Sequence, residues 1–542
     1  MFFIQYKIFL NNTVLCLVAI SIISIILKLY FIDFSLPIYN DNMDLTLRAF
    51  THLHGNFEVS ENRNFGWPLF LAPFLSLINS DNWIDYSVLA RIVSLSVSTL
   101  TIIPMFLLSR KFFENKYAII AAGLFSFEPH LNQVAGLAQT EPIFLLAILG
   151  SFYFILSRKN DKFVIFSFIL AAISYWIRPM GLIMIVVISI IYFIHFKKSF
   201  KKYLIYLPIF ILVLSPVLII RSEQYGDPFY YGDVSRGFVS ESAMLHAENA
   251  PSVSLTDLIK NNELSFFIKH FVIDGLINII KGLTAVSLPY LIVLWPIGII
   301  GFLWFENSAK RQLIYTLILI ILSLSSLIIV FSTVLSIRFL FPIIPYLILF
   351  AIVPIKKISE YLHIKSPKKS NIFLALILIT VLSSSILFGI YKIEKPDQFL
   401  ENEKITFSNY IRTNFNGEIF NDGWSTHYFN YVEMSQNDIF KTYFVESKES
   451  IEAKNGFTDL KIIRLDGDSL EQIISDGEKL GLTHLAIEPQ QYFHPFLNDV
   501  YVNENNYPYL NKIFDSEKEN YQKLRVKVFT IDNTLFHKMM AK

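Results

Sequence analysis

From Phe9 to Ile32 the chain runs through apolar residues for long enough to cross a bilayer as a helix, and comparable runs recur as far as Tyr391. They lie near Phe9–Ile32, Ser87–Leu108, Tyr117–Phe127, Glu141–Leu156, Phe163–Ile177, Gly181–Phe196, Tyr203–Ile220, Leu283–Trp304, Leu313–Val334, Phe339–Val353 and Asn371–Tyr391. No water-soluble interior can take up so many. With 53% of residues hydrophobic, 17% charged and a mean hydropathy of +0.47, the chain reads as a polytopic α-helical membrane protein of about eleven spans. Trp67–Ile78 is apolar but short and carries Pro68 and Pro73, so it reads as interfacial or re-entrant. The first run follows Lys7 as a secretory signal would. It is long enough to span and shows no small-residue cleavage site, which reads as a retained anchor.

Basic residues fix an orientation. Lys7, Arg110-Lys111, Arg158-Lys159, Lys197-Lys198, Lys310-Arg311 and Lys356-Lys357 fall in alternate loops, and the short loops between them are nearly free of lysine. The positive-inside rule then puts the N-terminus in the cytoplasm and, with an odd number of spans, the C-terminus outside. Residues 1–392 form the membrane part, with external loops at 33–66 and 221–281, and 393–542 an extracytoplasmic α/β domain. In that tail Glu418–Phe420, Lys461–Leu465, Leu482–Ile487 and Val526–Ile531 read as strands and Ser469–Leu480 as a helix. Within the second long loop Tyr225–Asp233 is a turn-rich aromatic cluster, and Leu255–Ile280 has the spacing of a helix lying flat on the membrane.

Several functions are excluded. A net charge of +1 gives no electrostatic case for nucleic acid. The single cysteine, Cys16, permits no intrachain disulfide and no cysteine metal site. His52 and His54 are one residue apart, with no zinc-ligand spacing around them, and no Gly-rich phosphate loop, HExxH or GxSxG occurs. Asp422-Gly423-Trp424-Ser425-Thr426 reads as the turn after the first tail strand.

The residues that could carry chemistry gather on the external side. Tyr39-Asn40-Asp41-Asn42-Met43-Asp44 follows the first span, and a helix over Asp41–Phe50 puts Asp41 and Asp44 near one face. A carboxylate there can act as general base on an acceptor hydroxyl or amine; a solvated acidic pair at a helix start is the plainer alternative. Glu128-Pro129-His130 occupies the next external loop, Glu141-Pro142 opens a span, Arg178-Pro179 lies at a tight turn and Arg338 opens a late span. Taken singly, each has a structural reading as a helix charge or interfacial anchor. Together they put carboxylates and arginines on one side of one membrane, where arginines could hold a lipid-linked phosphate.

This arrangement resembles the GT-C glycosyltransferases, integral membrane enzymes that take sugars from polyprenyl-phosphate carriers. It is most similar to the branch holding protein O-mannosyltransferases and aminoarabinose lipid A transferases (family 39, RgtA/B/C/D-like). The family's ordered motifs correspond to Asp41, Ala49, Gly55 and Trp67-Pro68-Leu69, then Glu128–Gln133, Glu141-Pro142, Arg178-Pro179-Met180-Gly181 and Arg338–Pro342. The chain departs from them at Asn42 and Met180, where the family often has glutamate, and lacks the Trp-Trp-Asp-Tyr-Gly signature of oligosaccharyltransferases. The resemblance implies transfer of a hexosyl or pentosyl unit from a polyprenyl-phosphate-linked donor to a glycan, lipid or protein acceptor at the external face. Catalytic roles fall to Asp41 and Glu128. Substrate-binding roles fall to Asp44, Trp67, Glu141, Arg178, Arg338, Tyr225 and Tyr230. A divalent cation, magnesium or manganese, held by Asp41 and Glu128 is an open alternative to a metal-free base. A flippase of lipid-linked sugars, or a non-catalytic subunit recruiting a partner through its tail, are the competing functions; paired halves and charges in mid-helix, which a flippase would show, are not evident in the sequence.

Overall fold

A computed structural model describes residues 2–57, 59–60, 63–157, 161–196, 200–231, 264–302, 307–333, 336–393, 395–421, 423–435, 460–489 and 493–541. Two bodies of secondary structure follow one another, a helical bundle and a mixed sheet region. The bundle begins with α1 (Phe2–Tyr30), α2 (Asn40–Leu53), α3 (Gly66–Leu75), α4 (Trp83–Leu100), α5 (Ile102–Ser109) and α6 (Asn115–Ser126). It continues with α7 (Pro129–Ala135), α8 (Glu141–Ile155), α9 (Asp161–Ile177), α10 (Ile183–Phe196) and α11 (Phe200–Tyr225). Later helices cover Gly275–Val286, Leu291–Gly301, Asn307–Thr333, Ile344–Lys365 and Pro367–Tyr391.

Among the described residues six helices are long and apolar enough to span: Asn12–Tyr30, Trp83–Ser109, Phe200–Tyr225, Gln312–Ser332, Ile337–Lys365 and Pro367–Tyr391. A seventh results if Ser265–Val286 and Leu291–Gly301, bent by 113° at their break, count as one, and four further apolar helices are shorter. The expected eleven spans are therefore not reproduced as eleven helices of spanning length. Leu283–Trp304 in particular is not one straight helix, because Pro289, with no N–H to donate, lies at its break. The segment expected to lie flat is described only from Leu264. From there it is helical and packs on Asn307–Thr333, with Asn278 Nδ2 donating to the Phe331 carbonyl at 2.9 Å.

The outer faces of these helices remain apolar. Leu15, Leu212, Ile300 and Leu376 are each more than half exposed, which a bilayer accommodates and water does not. Ile337–Lys365, by contrast, is mostly buried inside the bundle. Prolines mark the entries to several elements. Pro129, Pro142 and Pro179 sit at first or second positions, where a missing N–H costs nothing.

The C-terminal region starts with the helix Gln398–Asn414, capped by Asp397. Its five-stranded sheet runs β2-β1-β3-β5-β4, from β1 (Gly417–Asn421), β2 (Leu460–Ile463), β3 (Leu482–Ile487), β4 (Leu510–Asp515) and β5 (Lys527–Ile531). β2, β1 and β3 are parallel, and β5 and β4 antiparallel. The helix Leu470–Glu478 joins β2 to β3, capped by Ser469, and Gly481 at φ +86° turns the chain into β3. Sheet and bundle touch at the head of α2. Tyr39 stacks on His427 at 5.2 Å and meets Tyr428 edge-on at 5.1 Å, and Gln398 Nε2 donates to Ser35 Oγ at 2.9 Å.

Candidate active site

The acidic segment is helical from Asn40, so Asp41 and Asp44 stand near one face of the first turns of α2. One guanidinium joins them: Arg63 Nη2 lies 2.6 Å from Asp41 Oδ1, and its Nη1 lies 3.2 Å from Asp44 Oδ2. Arg48, one turn along, adds a second contact to Asp44 at 3.2 Å. Asp41 stays 47% exposed, so it is open to a substrate from the solvent side.

Arg63 is held in place through its neighbour. Asn64 Nδ2 donates to the Tyr175 carbonyl at 2.5 Å, and its Oδ1 accepts from Arg221 Nε at 2.8 Å and from the Tyr231 hydroxyl at 3.0 Å. Burial holds the Tyr231 phenol above its usual range, so it stays a donor. Arg221, at the end of α11 and fully buried, also donates to the carbonyls of Tyr230 (2.5 Å) and Ser60 (3.1 Å) and lies 3.8 Å from the Tyr231 ring centre. Val59 N–H donates to Gln224 Oε1 at 3.1 Å, and the Tyr225 hydroxyl donates to the Val59 carbonyl at 3.2 Å. Tyr225 and Tyr230 stack at 5.3 Å. The first external loop is thereby fastened to the end of α11 by both ends of residues 59–64. Gly66 packs so close to α9 that a Cβ would stand 2.6 Å from the Trp176 carbonyl oxygen.

The α9 end supplies the second group. Arg178 follows Ile177, and the chain folds back so tightly that a Cβ on Gly181 would meet Ser174 at 2.3 Å. Arg178 Nη1 lies 3.1 Å and Arg338 Nε 3.3 Å from the same oxygen, Glu141 Oε1. Glu141 is 1% exposed, and its other oxygen is buried without a hydrogen-bond partner. One carboxylate between two guanidinium groups leaves an excess of positive charge, and burying it is costly unless an anion joins. Asn64 and Gly66, just after Arg63, both rest on Tyr175–Ile177, just before Arg178, which makes the two groups neighbours. Met180 and Pro342, close in sequence to Arg178 and Arg338, line a small, largely apolar crevice with Phe144, Ile183, Leu319, Ser323 and Tyr346.

Glu128 stands in a different network. It caps α7, its Oε2 accepting from Leu131 N–H at 2.6 Å and its Oε1 lying 2.8 Å from His130 Nδ1. His130 packs between Phe341 and Phe388, and nearby Lys28 donates to Asn132 Oδ1 at 2.9 Å and to Ser24 Oγ. Trp67 is fully buried among the bundle's apolar residues, its indole N–H without a partner. The structure thus brings together Asp41 with Asp44, and Glu141 with Arg178 and Arg338; Tyr225 and Tyr230 back the first pair, while Glu128 and Trp67 stand apart.

Among the described residues no three His, Cys, Asp or Glu side chains converge. Asp41 is engaged by Arg63, and the Glu128 oxygens are held by His130 and by the Leu131 N–H. Sequence reading missed Arg63, Arg221 and Lys28. Each is a lone base at or near the end of an apolar run, the signal that had marked Arg178 and Arg338.

No protein-family model matches the chain, and no characterised protein matches it in sequence. Solved structures do match. The Archaeoglobus fulgidus oligosaccharyltransferase, in complex with zinc and sulfate, is similar with a TM-score of 0.57 at 12% identity, over 87% of this chain and 68% of that one. ArnT from Cupriavidus metallidurans, bound to undecaprenyl phosphate, is similar with a TM-score of 0.52 at 10% identity, over 96% of this chain and 98% of that one. The likeness at such identities is one of fold: the chain shares the fold of these two proteins.

Proposed function

We propose that the chain is a membrane glycosyltransferase that moves a hexosyl or pentosyl unit from a polyprenyl-phosphate-linked donor to an acceptor (glycan, lipid or protein) at the external face of the membrane. In this reading the N-terminus is cytoplasmic, residues 1–392 form the membrane unit, and residues 393–542 form an external domain. The observation that carries it is the pairing of Arg178 and Arg338 on one buried carboxylate oxygen, Glu141 Oε1, next to the half-exposed carboxylate of Asp41.

The chemistry follows from charge and position. Arg178 and Arg338 bind the donor phosphate, and Glu141 orients them. The acceptor oxygen or nitrogen attacks the anomeric carbon as its proton passes to Asp41. The bond from that carbon to the phosphate oxygen breaks, and polyprenyl phosphate leaves with the electron pair. Negative charge grows on the phosphate in the transition state, where two guanidinium groups stabilise it more than in the ground state. The crevice lined by Met180, Pro342 and Phe144 offers apolar surface to the start of the lipid chain. Asp44, Tyr225 and Tyr230 shape the acceptor side, Glu128 supports it from its own network, and Trp67 packs beneath it. No metal step is required of these residues.

The test is turnover of radiolabelled polyprenyl-phosphate sugars by the purified protein, with and without magnesium or manganese, beside Asp41→Asn. Release or transfer of sugar from one donor, lost in the variant, is the expected result. Wild-type turnover that survives Asp41→Asn unchanged removes Asp41 as base, and failure with every donor and acceptor class removes the enzyme reading.

A further inference from the structure

The turn after β1 holds a tryptophan in water. Trp424 is 56% exposed, yet the turn that carries it is tied to the end of β3. Glu488, directly after β3, accepts from the Ser425 N–H at 2.7 Å. Asn421, the last residue of β1, donates to the Ala486 carbonyl at 3.2 Å and to Ser425 Oγ at 3.3 Å, and its Oδ1 accepts from Thr426 Oγ1 at 2.8 Å. Gly423 lies so close to β3 that a Cβ there would collide with the Glu488 carboxylate. An anchored backbone, not a loose one, therefore keeps this indole out of the core. Leaving it there forfeits its burial energy, and a pre-positioned aromatic ring is what binding sites use as an anchor.

The turn also occupies a particular place in the sheet. β1 and β3 are parallel neighbours, and the chain leaves them in opposite directions, from β1 to β2 on one side and from β3 to β4 on the other. Gly423, Trp424 and Glu488 stand just beyond the carboxyl ends of these two strands, the switch point at which open α/β sheets bind ligands. From there a line of rings leads to the bundle. Trp424 meets His427 edge-on at 4.3 Å, His427 stacks on Tyr39 at 5.2 Å, and Tyr39 precedes the helix whose second residue is Asp41.

The residues at the turn discriminate among acceptor classes. A sugar ring offers C–H faces that lie on an indole and hydroxyls that pair with a carboxylate. Glu488 provides that carboxylate, and its Oε2 has no partner among the described residues. A peptide would add to a sheet edge, whereas β1 and β3 are interior strands and the Ser425 N–H is already taken. A lipid would need apolar surface, whereas the residues that follow and fasten Trp424 are polar: Ser425, Thr426, His427, Asn421 and Glu488.

We propose that this turn is an acceptor subsite and that the acceptor is a glycan, one sugar ring stacked on Trp424 and hydrogen-bonded to Glu488, with the chain's terminal hydroxyl directed toward Asp41. The inference rests on the glycosyltransferase reading and narrows its acceptor from glycan, lipid or protein to glycan. The experiment uses the full chain in lipid nanodiscs and four trisaccharides, built from glucose, mannose, galactose or N-acetylglucosamine. Saturation-transfer NMR measures their affinities for the wild type, Trp424→Ala, Trp424→Phe and Glu488→Gln. Val502→Ala is the control, because it removes an apolar side chain 72% exposed elsewhere in the C-terminal region. Release of sugar from polyprenyl-phosphate donors is followed in parallel. At least one trisaccharide is expected to bind the wild type and to bind Trp424→Ala on the order of tenfold more weakly. Trp424→Phe, which keeps a ring beside His427, and Glu488→Gln should lose less, and Val502→Ala nothing. Donor turnover by a wild type that binds none of the trisaccharides, or binds them no better than Trp424→Ala does, overturns this proposal alone. So does transfer to a lipid or peptide at equal rates in the wild type and Trp424→Ala. Absence of turnover with every donor removes the glycosyltransferase reading and this proposal with it.

Discussion

Arg221 Nε donates to Asn64 Oδ1 at 2.8 Å, joining the end of α11 to the loop that precedes α3. The bond fixes the residue next to Arg63, so an arginine far along the chain sets the geometry around Asp41. Because Arg221 is fully buried, removing it takes a donor from the Ser60 and Tyr230 carbonyls and leaves Asn64 Oδ1 with the Tyr231 hydroxyl. Arg221→Lys keeps the charge but loses the fork, and is expected to destabilise the protein by about 2 kcal/mol and to cut turnover more than donor affinity. Thermal unfolding in detergent and a comparison of kcat with KM check both parts. A kcat equal to wild type would show that the loop's position does not matter to the chemistry.

Glu141→Gln leaves Arg178 and Arg338 facing each other without their shared carboxylate. Breaking a buried pair by removing one partner costs roughly 3–5 kcal/mol, because charge stays behind uncompensated. Donor affinity is expected to fall despite the added positive charge, since the two guanidinium groups lose their common anchor at 3.1 and 3.3 Å. Undecaprenyl phosphate binding and the unfolding midpoint are the readouts. Tighter binding with unchanged stability would mean that Glu141 merely offsets charge and orients nothing.

Asp41→Asn keeps the shape of the site and removes its proton acceptor. Turnover is expected to drop on the order of 10²–10⁴-fold, the usual reach of general base catalysis. Binding of the donor should hold, since Arg178 and Arg338 keep their contacts to Glu141. Asp44→Asn should cost much less, because Asp44 is already engaged by Arg48 as well as Arg63. Equal losses from the two substitutions would show that the aspartates act as a pair and that neither is the single base.

The membrane class and the acidic and basic clusters were legible because burial of charge is so costly that each ionisable residue at a helix end stands out from apolar surroundings. Glu141, Arg178 and Arg338 were visible this way, although only the structure shows that both arginines share one oxygen. Arg63 and Arg221 carried the same signal but lay in or beside loops, where a solvated charge is ordinary. What made them significant is pairing across long stretches of chain, and no local pattern encodes that. Helix lengths were less legible. Hydropathy reports where apolar residues are, the short Trp67–Ile78 stretch among them, but it does not register the turn before Leu291. In the tail, β4 (Leu510–Asp515) was missed because Asn511, Lys512 and Asp515 interrupt its apolar pattern at a sheet edge.

His427 ties the C-terminal region to the head of α2, stacked on Tyr39 at 5.2 Å and edge-on to Trp424 at 4.3 Å. Burial, with Lys404 and Arg464 nearby, pushes its pKa down to about 3 from an ordinary 6.5. The folded form therefore holds the ring neutral while the unfolded chain takes up a proton below pH 6.5. Stability from this residue is complete above that value and is lost as the pH falls toward 3, at up to roughly 1.4 kcal/mol per pH unit. His427→Phe keeps the stack on Tyr39 and removes the titration, so its unfolding midpoint should decline less between pH 7 and pH 4 than that of the wild type. Since Tyr39 directly precedes the helix that carries Asp41, loss of the stack at low pH should also lower turnover, and His427→Phe should retain more activity there. Parallel pH profiles for the two proteins would show that His427 is not the group that loosens this contact.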